Sequence, residues 1–384
     1  MKSPSPRASR VATSLLFFCN GFVFASWGAH IPTIKDKFQL SEGALSLTML
    51  AMAFGAVLAM GRIGRLSAAL GSARTSVWSG LLLALGVLLI LLMPNLPALI
   101  VVLLLFGAVM AALDVAMNAQ AAIVESAYGR AVMSSMHGLF SLGGFAGAAL
   151  GALWRATEAS AQSHMLCVGL ITAACCLAAR PALRADPTHE EHASAQAKGQ
   201  AKRQLLQLGI LAFLGLIAEG AMYDWSTVYM RDYTQASLAW INAGYAAFSL
   251  GMAGGRFTGD AIRARLGNVR TLRWSAALCA AGIALSLLWP APIPAALGFG
   301  LIGLGTSNMM PVLFAAAANV PGMAASEAIA DMARIAYLGL LFGPVLIGAL
   351  AQLLGLPLAL ILIGLSAAMV GLRARAALSG SAEH

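Results

Sequence analysis

Residues 70–79 read LGSARTSVWS, and residues 266–275 read LGNVRTLRWS. Leu, Gly, Arg, Thr, Trp and Ser recur at an offset of 196 positions. Pro94 and Pro290 keep that offset, as do Gly143 with Gly339 and Gly147 with Gly343. Upstream, FGAVLAMGR (54–62) aligns with FSLGMAGGR (248–256) at 194, matching Phe54, Ala59, Gly61 and Arg62 to Phe248, Ala253, Gly255 and Arg256. An ordered series of matches at about half the chain length is the mark of an internal duplication.

What is duplicated follows from composition. The chain has 384 residues, 60% of them hydrophobic and 10% charged. A soluble domain carries about 25% charged residues. The apolar runs have the length of membrane helices, about 20 residues for a hydrocarbon core of about 30 Å. They do not alternate every second residue, which excludes an outer-membrane barrel. Twelve spans are expected between Val11 and Leu372, six per repeat. The fold expected is all-α, with two pseudo-symmetric six-helix bundles at 1–181 and 205–384 and a polar linker at 182–204. The first span, Val11–Ile31, follows Lys2, Arg7 and Arg10 as a signal peptide would. It is longer than a signal h-region and has no clear cleavage site, so it is read as retained.

The net charge of +9 is a matter of orientation. On this topology most of the 24 Lys and Arg, including Arg62, Arg65, Arg74, Arg184, Lys198, Arg270 and Arg375, fall on one side. The positive-inside rule makes that side the cytoplasm and places both termini there. The charge therefore implies no nucleic-acid partner. Cys19, Cys167, Cys175, Cys176 and Cys279 lie within spans without zinc-ligand spacing. They read as soft apolar packing. His189 and His192 in the linker read as solvated side chains, so neither a metal nor a cofactor is expected.

Two six-helix repeats joined by a polar linker resemble the major facilitator superfamily. The loop between spans 2 and 3 supports the resemblance. The family pattern is Gly-x3-Asp-Arg-x-Gly-x-Arg-Arg. GRLSAALGSAR (64–74) keeps Gly64, Gly71 and Arg74, with Ala68 and Ala69 in place of the Asp-Arg pair. The second copy, GRFTGDAIRARLGNVR (255–270), holds Gly255, Arg256, Gly259, Asp260, Gly267 and Arg270. The resemblance implies a cytoplasmic gate at these residues, a solute site near the bilayer midplane and a monomer working by alternating access.

Polar residues inside spans narrow the function. A charge at mid-bilayer costs roughly 2.5–3.5 kcal/mol on insertion scales and usually faces a pathway. LDVAMNAQ (113–120) puts Asp114 and Asn118 on one helical face. It is similar to the helix 4 acid and Asn of the fucose-permease branch, which implies solute binding and proton coupling at these residues. SSMHGLFSLGG (134–144) places His137 and Ser141 together on span 5, where the branch carries a Gln. The helix 1 acid of that branch is missing ahead of Pro32, where Trp27 and Gly28 stand. Over nearly the whole chain the sequence also resembles the YbjJ-like transporters, for which EGAMYDWSTVYM (219–230) is typical.

That segment carries two acids. Glu219 shares a face with Tyr223, and Asp224 lies about 140° round the helix. Glu219 is read as a second proton-coupling group, with Asp114 and His137. Asn20, Phe24 and Trp27 form a stripe on span 1 that suits either solute stacking or plain packing. Asn308 in GTSNMMP (305–311) marks a broken or kinked span 10. Asp331 and Arg334, three apart on span 11, read as a mutually neutralising structural or gating pair.

The expected function is secondary transport of a small polar, sugar-like solute across a bacterial-type inner membrane by proton symport. One rival is a drug–proton antiporter. Members of that branch carry Gly-Pro in helix 5, where this chain has Gly147-Ala148. The other rival is a receptor that keeps the fold without flux. No Gly-x4-Gly-Lys-Ser/Thr loop points to a pump. No hydrolase or zinc-protease motif points to an enzyme.

Overall fold

Several helices start where a polar side chain takes up one of their unpaired first-turn amides. Ser5 Oγ accepts from the Ala8 amide at 3.2 Å and Ser41 Oγ from Ala44 at 3.3 Å. Asn95 Oδ1 accepts from Ala98 at 3.0 Å and Ser160 Oγ from Ser163 at 3.2 Å. Proline in the first turn, as at Pro6 and Pro97, fits the same logic because its missing N–H would have been unpaired there.

The computed structural model describes residues 4–156, 159–187, 195–237, 240 and 243–379, and among these there are helices and no strands. In chain order they are α1 (Pro6–Ala29), α2 (Ile31–Lys37), α3 (Glu42–Leu70), α4 (Ser72–Leu92), α5 (Leu96–Tyr128), α6 (Met133–Ala156) and α7 (Ala161–Ala179). Then follow α8 (Ala195–Tyr233), α9 (Ala243–Leu288), α10 (Pro292–Thr306), α11 (Met309–Ala318), α12 (Ala325–Leu354) and α13 (Leu356–Leu378). Among the described residues, ten helical segments are long and apolar enough to cross a membrane. The two-armed α9 counts twice and α6 adds another, which gives twelve crossings.

Three elements differ from the expected spans. The spans expected at Leu238–Gly255 and Leu272–Trp289 join in α9, which bends at Gly267 (φ +74°). The span expected at Ile293–Ala318 is divided at Ser307–Asn308 into α10 and α11. The helix of the seventh span starts at Ala195, so the end of the linker is helical.

Two compact units emerge. The first comprises residues 1–129, 136–189 and 324–330, and the second 130–135, 190–323 and 331–384. The duplication is legible in their backbones. Gly71 (φ +86°) and Gly267 (φ +74°) both hold a positive φ that L side chains rarely adopt. In the first unit a Cβ on Gly143 would strike the Phe18 carbonyl, and in the second a Cβ on Gly339 would strike that of Phe213. Gly55 closes on Leu104 as Gly251 closes on Gly300, and Gly107 on Met52 as Gly303 on Phe248. These crossings set the repeat register at 195–196. Phe248 is therefore the counterpart of Met52 rather than of Phe54, because backbone approach and not residue identity fixes the register.

Candidate functional sites

In the first unit, α5 and α6 bring three of the expected residues into one chain of contacts. Asn118, fully buried, donates from Nδ2 to the Asp114 carbonyl at 2.9 Å and to Asp114 Oδ1 at 3.3 Å. With its amide nitrogen committed to Asp114, its Oδ1 is the acceptor, and His137 Nε2 lies 3.1 Å away. That geometry assigns the His137 proton to Nε2. Phe17 meets the imidazole edge-on at 5.0 Å. A carboxylate, an amide and an imidazole thus stand in series. Ser141 is half-buried one turn along α6.

The α1 stripe is divided. Asn20 is buried, with Nδ2 3.8 Å from the Met117 sulfur, and Trp27 is 3% exposed. Phe24 is 44% exposed. Of the three, only Phe24 has a ring with free surface for stacking.

In the second unit Glu219 meets Arg256. Glu219 Oε1 lies 3.4 Å from Arg256 Nη2, with the two side chains 13% and 8% exposed. Tyr223 donates its hydroxyl to the same carboxylate oxygen at 3.3 Å. The Tyr223 ring packs on Tyr245 at 5.8 Å and edge-on to Phe248 at 5.4 Å. The charge of Arg256 is permanent, so it compensates a carboxylate that would otherwise be costly to bury. Asn308 joins this group at the division of α10 from α11. Its Nδ2 donates to the Gly255 carbonyl at 3.0 Å, the residue before Arg256. Trp225 donates to the Pro344 carbonyl at 3.1 Å, tying α8 to α12. The Asp224 side chain lies outside the described residues, as do His189 and His192.

The residues expected at a gate fall in two places. In the second unit Asp260 accepts from the amides of Ser134 at 2.8 Å and Ser135 at 3.0 Å, at the start of α6. A carboxylate is favoured at a helix N-terminus by the free amides and the helix dipole. In the first unit a Cβ on Gly64 would come within 2.6 Å of Ala330 Cβ, and in the second one on Gly259 within 2.8 Å of Ser134 Cβ. Gly71 shapes the start of α4, and Arg74 is exposed one turn later. Asp331 and Arg334 share no salt bridge among the described residues; Arg334 is exposed while Asp331 is half-buried.

One polar cluster was missed by reading the sequence. Gln120, fully buried, donates to Ser72 Oγ and to the Arg184 carbonyl, both at 2.7 Å, and accepts from the Arg184 amide at 3.0 Å. Asp186 accepts from the Ser72 amide at 2.9 Å and from the Ser72 hydroxyl. The start of the linker is thereby fixed to the α4 N-terminus. The available signal was an acid in RPALRADPT and a helix start at Gly71-Ser72 without a side-chain cap.

Known proteins agree with this architecture. The family model described as Major Facilitator Superfamily matches residues 13–330. An uncharacterised MFS-type transporter of Yersinia pestis is 36% identical over 355 residues, 92% of this chain and 91% of that protein. The membrane protein MosC of Rhizobium meliloti is 33% identical over 361 residues, 94% and 88% of the two chains. Among solved structures, the transporter FucP in its outward conformation superposes with a TM-score of 0.78 at 16% identity, covering 96% of this chain and 98% of its own. The proton:xylose symporter XylE gives 0.74 at 11% identity, with 97% and 96% covered. At such identities the structures speak for the fold, and the family model and the relatives speak for descent. The chain belongs to the major facilitator superfamily of membrane transporters.

Proposed function

We propose that this transporter moves a small polar, sugar-like solute by proton-coupled symport through alternating access. The observation that carries the reading is the Asp114–Asn118–His137 series, a titratable acid joined through a buried amide to an imidazole within the bundle. Asp114 takes and releases the proton, and Asn118 and Ser141 contact the solute. Phe24 stacks on its apolar face. Glu219 is the second titratable group, exchanging Arg256 for a proton as the cycle turns, with Tyr223 and Asn308 around it. The names of two fold neighbours, a fucose:proton symporter of E. coli and a proton:xylose symporter, support this solute and this ion. The protein works as a monomer in a bacterial-type inner membrane with both termini in the cytoplasm. Residues 1–181 and 205–384 form its two halves.

The test begins with a thermal-shift screen of a solute library on the purified protein, followed by flux of each hit in liposomes. An inward proton gradient should drive accumulation. Expulsion against that gradient would make the protein a drug-type antiporter, and binding without flux would make it a receptor. Reporter fusions after Arg74, Lys198 and Arg375 should all report cytoplasm.

A further inference from the structure

A groove in the first unit between α3 and α5 contains none of the candidate site residues described above. It has a volume of about 780 Å³ and is lined by Leu58, Ile63, Leu66, Leu104 and Leu105, with Arg62 and Arg65 at one end. Leu58 and Leu105 are 57% and 61% exposed, so the groove opens on the outer surface of the helices. Its far end is the tight crossing where Gly55 meets the Leu104 backbone. From Gly55 to Arg65 is roughly 15 Å along the helix axis at 1.5 Å per residue. That is a polar group's width plus a length of hydrocarbon.

The two arginines distinguish this groove from bare lipid-facing surface. They are three apart on α3 and so share a face. Both are exposed, and neither has a carboxylate partner among the described residues. Among the described residues, the one polar contact of Arg65 is a 3.4 Å bond from Nε to the Gly61 carbonyl of its own helix. Arg256 and Arg231, by contrast, each face an acid. Two guanidiniums with unused donors at the mouth of an apolar trough complement an anion that carries a hydrocarbon tail. A guanidinium meets a phosphodiester through paired N–H donors, and basic pockets beside transmembrane helices hold anionic headgroups.

We propose that this groove binds one anionic phospholipid, with its phosphate on Arg62 and Arg65 and an acyl chain laid along Leu58, Leu66 and Leu105. A soluble anion would find no partner in the leucine-lined part. A zwitterionic lipid would bring its own cation to the arginines.

Native mass spectrometry of the full-length protein, with dioleoylphosphatidylglycerol and dioleoylphosphatidylcholine as probes, tests the assignment. The wild type should retain phosphatidylglycerol in preference to phosphatidylcholine. R62Q/R65Q should weaken phosphatidylglycerol binding roughly thirty-fold. Ala59→Phe, which fills the groove and leaves the charge intact, should also lose the lipid. R373Q/R375Q removes as much charge from the exposed end of α13, outside the groove, and should keep it. Equal loss in R373Q/R375Q would reduce the effect to bulk charge. Unchanged binding in R62Q/R65Q or in Ala59→Phe would overturn the site. Displacement of the lipid by glycerol phosphate at equal concentration would do so too, since the headgroup alone would then suffice.

Discussion

Glu219 and Arg256 are 37 positions apart in sequence and share a 3.4 Å ion pair between α8 and α9, both nearly closed to solvent. Removing one partner of such a pair leaves the other charge uncompensated, at a cost of roughly 3–5 kcal/mol when burial is complete. With 8–13% exposure remaining, Arg256→Gln should cost about 2–4 kcal/mol. The double variant E219Q/R256Q should recover more than half, because it leaves no lone charge. Melting curves in detergent read both. In liposomes Glu219→Gln should flatten the dependence of uptake on pH. Superimposable profiles for wild type and Glu219→Gln would leave the acid structural.

Asp114→Asn keeps the size of the side chain and an acceptor for Asn118 but removes the carboxylate that carries the proton in the proposed cycle. Gradient-driven accumulation should vanish while solute binding persists. Asn118→Ala deletes both the bond to Asp114 and the acceptor facing His137. Stranding buried polar groups costs about 1–3 kcal/mol. That cost falls on the stability of the free and the solute-bound protein alike. Solute affinity should fall separately, by roughly five-fold or more, through loss of the proposed contact between the Asn118 amide and the solute, worth about 1 kcal/mol. Equilibrium binding measured beside uptake separates the two variants. Full accumulation in Asp114→Asn would move coupling to another residue.

How far the sequence could be read depended on the range of each interaction. Asp114 and Asn118 are four residues apart, and helical periodicity places them together without tertiary information. Tyr223 and Glu219 are legible for the same reason. Arg256 was expected at a gate because its neighbours match a loop motif; its partner Glu219 lies on the preceding helix, and no local pattern encodes that pairing. The stripe of Asn20, Phe24 and Trp27 shows the opposite limit. Periodicity puts the three on one face, but neighbouring helices cover Trp27 and leave Phe24 open. Gln120 reads as an ordinary polar residue until the linker folds back on it.

The repeat makes a paired prediction about backbone strain. Gly71 and Gly267 have φ of +86° and +74°, with nothing within 4 Å of the position a Cβ would take. Substitution there meets backbone strain and no steric clash. With ψ of 140° and 166° both lie in a positive-φ region populated almost only by glycine, where alanine costs roughly 1–3 kcal/mol. Gly71→Ala and Gly267→Ala should each lower stability by about that amount, and together they should add. Gly143→Val and Gly339→Val should instead fail by collision with the Phe18 and Phe213 carbonyls, with larger losses. Thermal melting of the four variants checks both classes; a silent Gly267→Ala beside a damaging Gly71→Ala would break the equivalence.

The last prediction concerns Gln120, which holds the start of the linker through the Arg184 amide and carbonyl and through Ser72. Arg184 is itself tied to the chain start, donating from Nη1 to the Pro4 carbonyl at 2.9 Å. A protease needs an extended, released segment on both sides of the bond it cuts, so the Arg184–Ala185 bond is protected while these contacts last. Trypsin cleavage there should follow the fraction of time the segment is free, provided opening is faster than cutting. Gln120→Leu keeps the volume and removes both backbone contacts, each with a net contribution of about 1 kcal/mol. Cleavage after Arg184 should then accelerate by roughly ten-fold or more. Asp186→Ala should act in the same direction through the α4 N-terminus, where loss of a capping acid costs about 1 kcal/mol. Mass spectrometry of the fragments identifies the cut. Equal cleavage rates at Arg184 in the wild type and in both variants would show that the bonds to Gln120 and Ser72 do not restrain the linker.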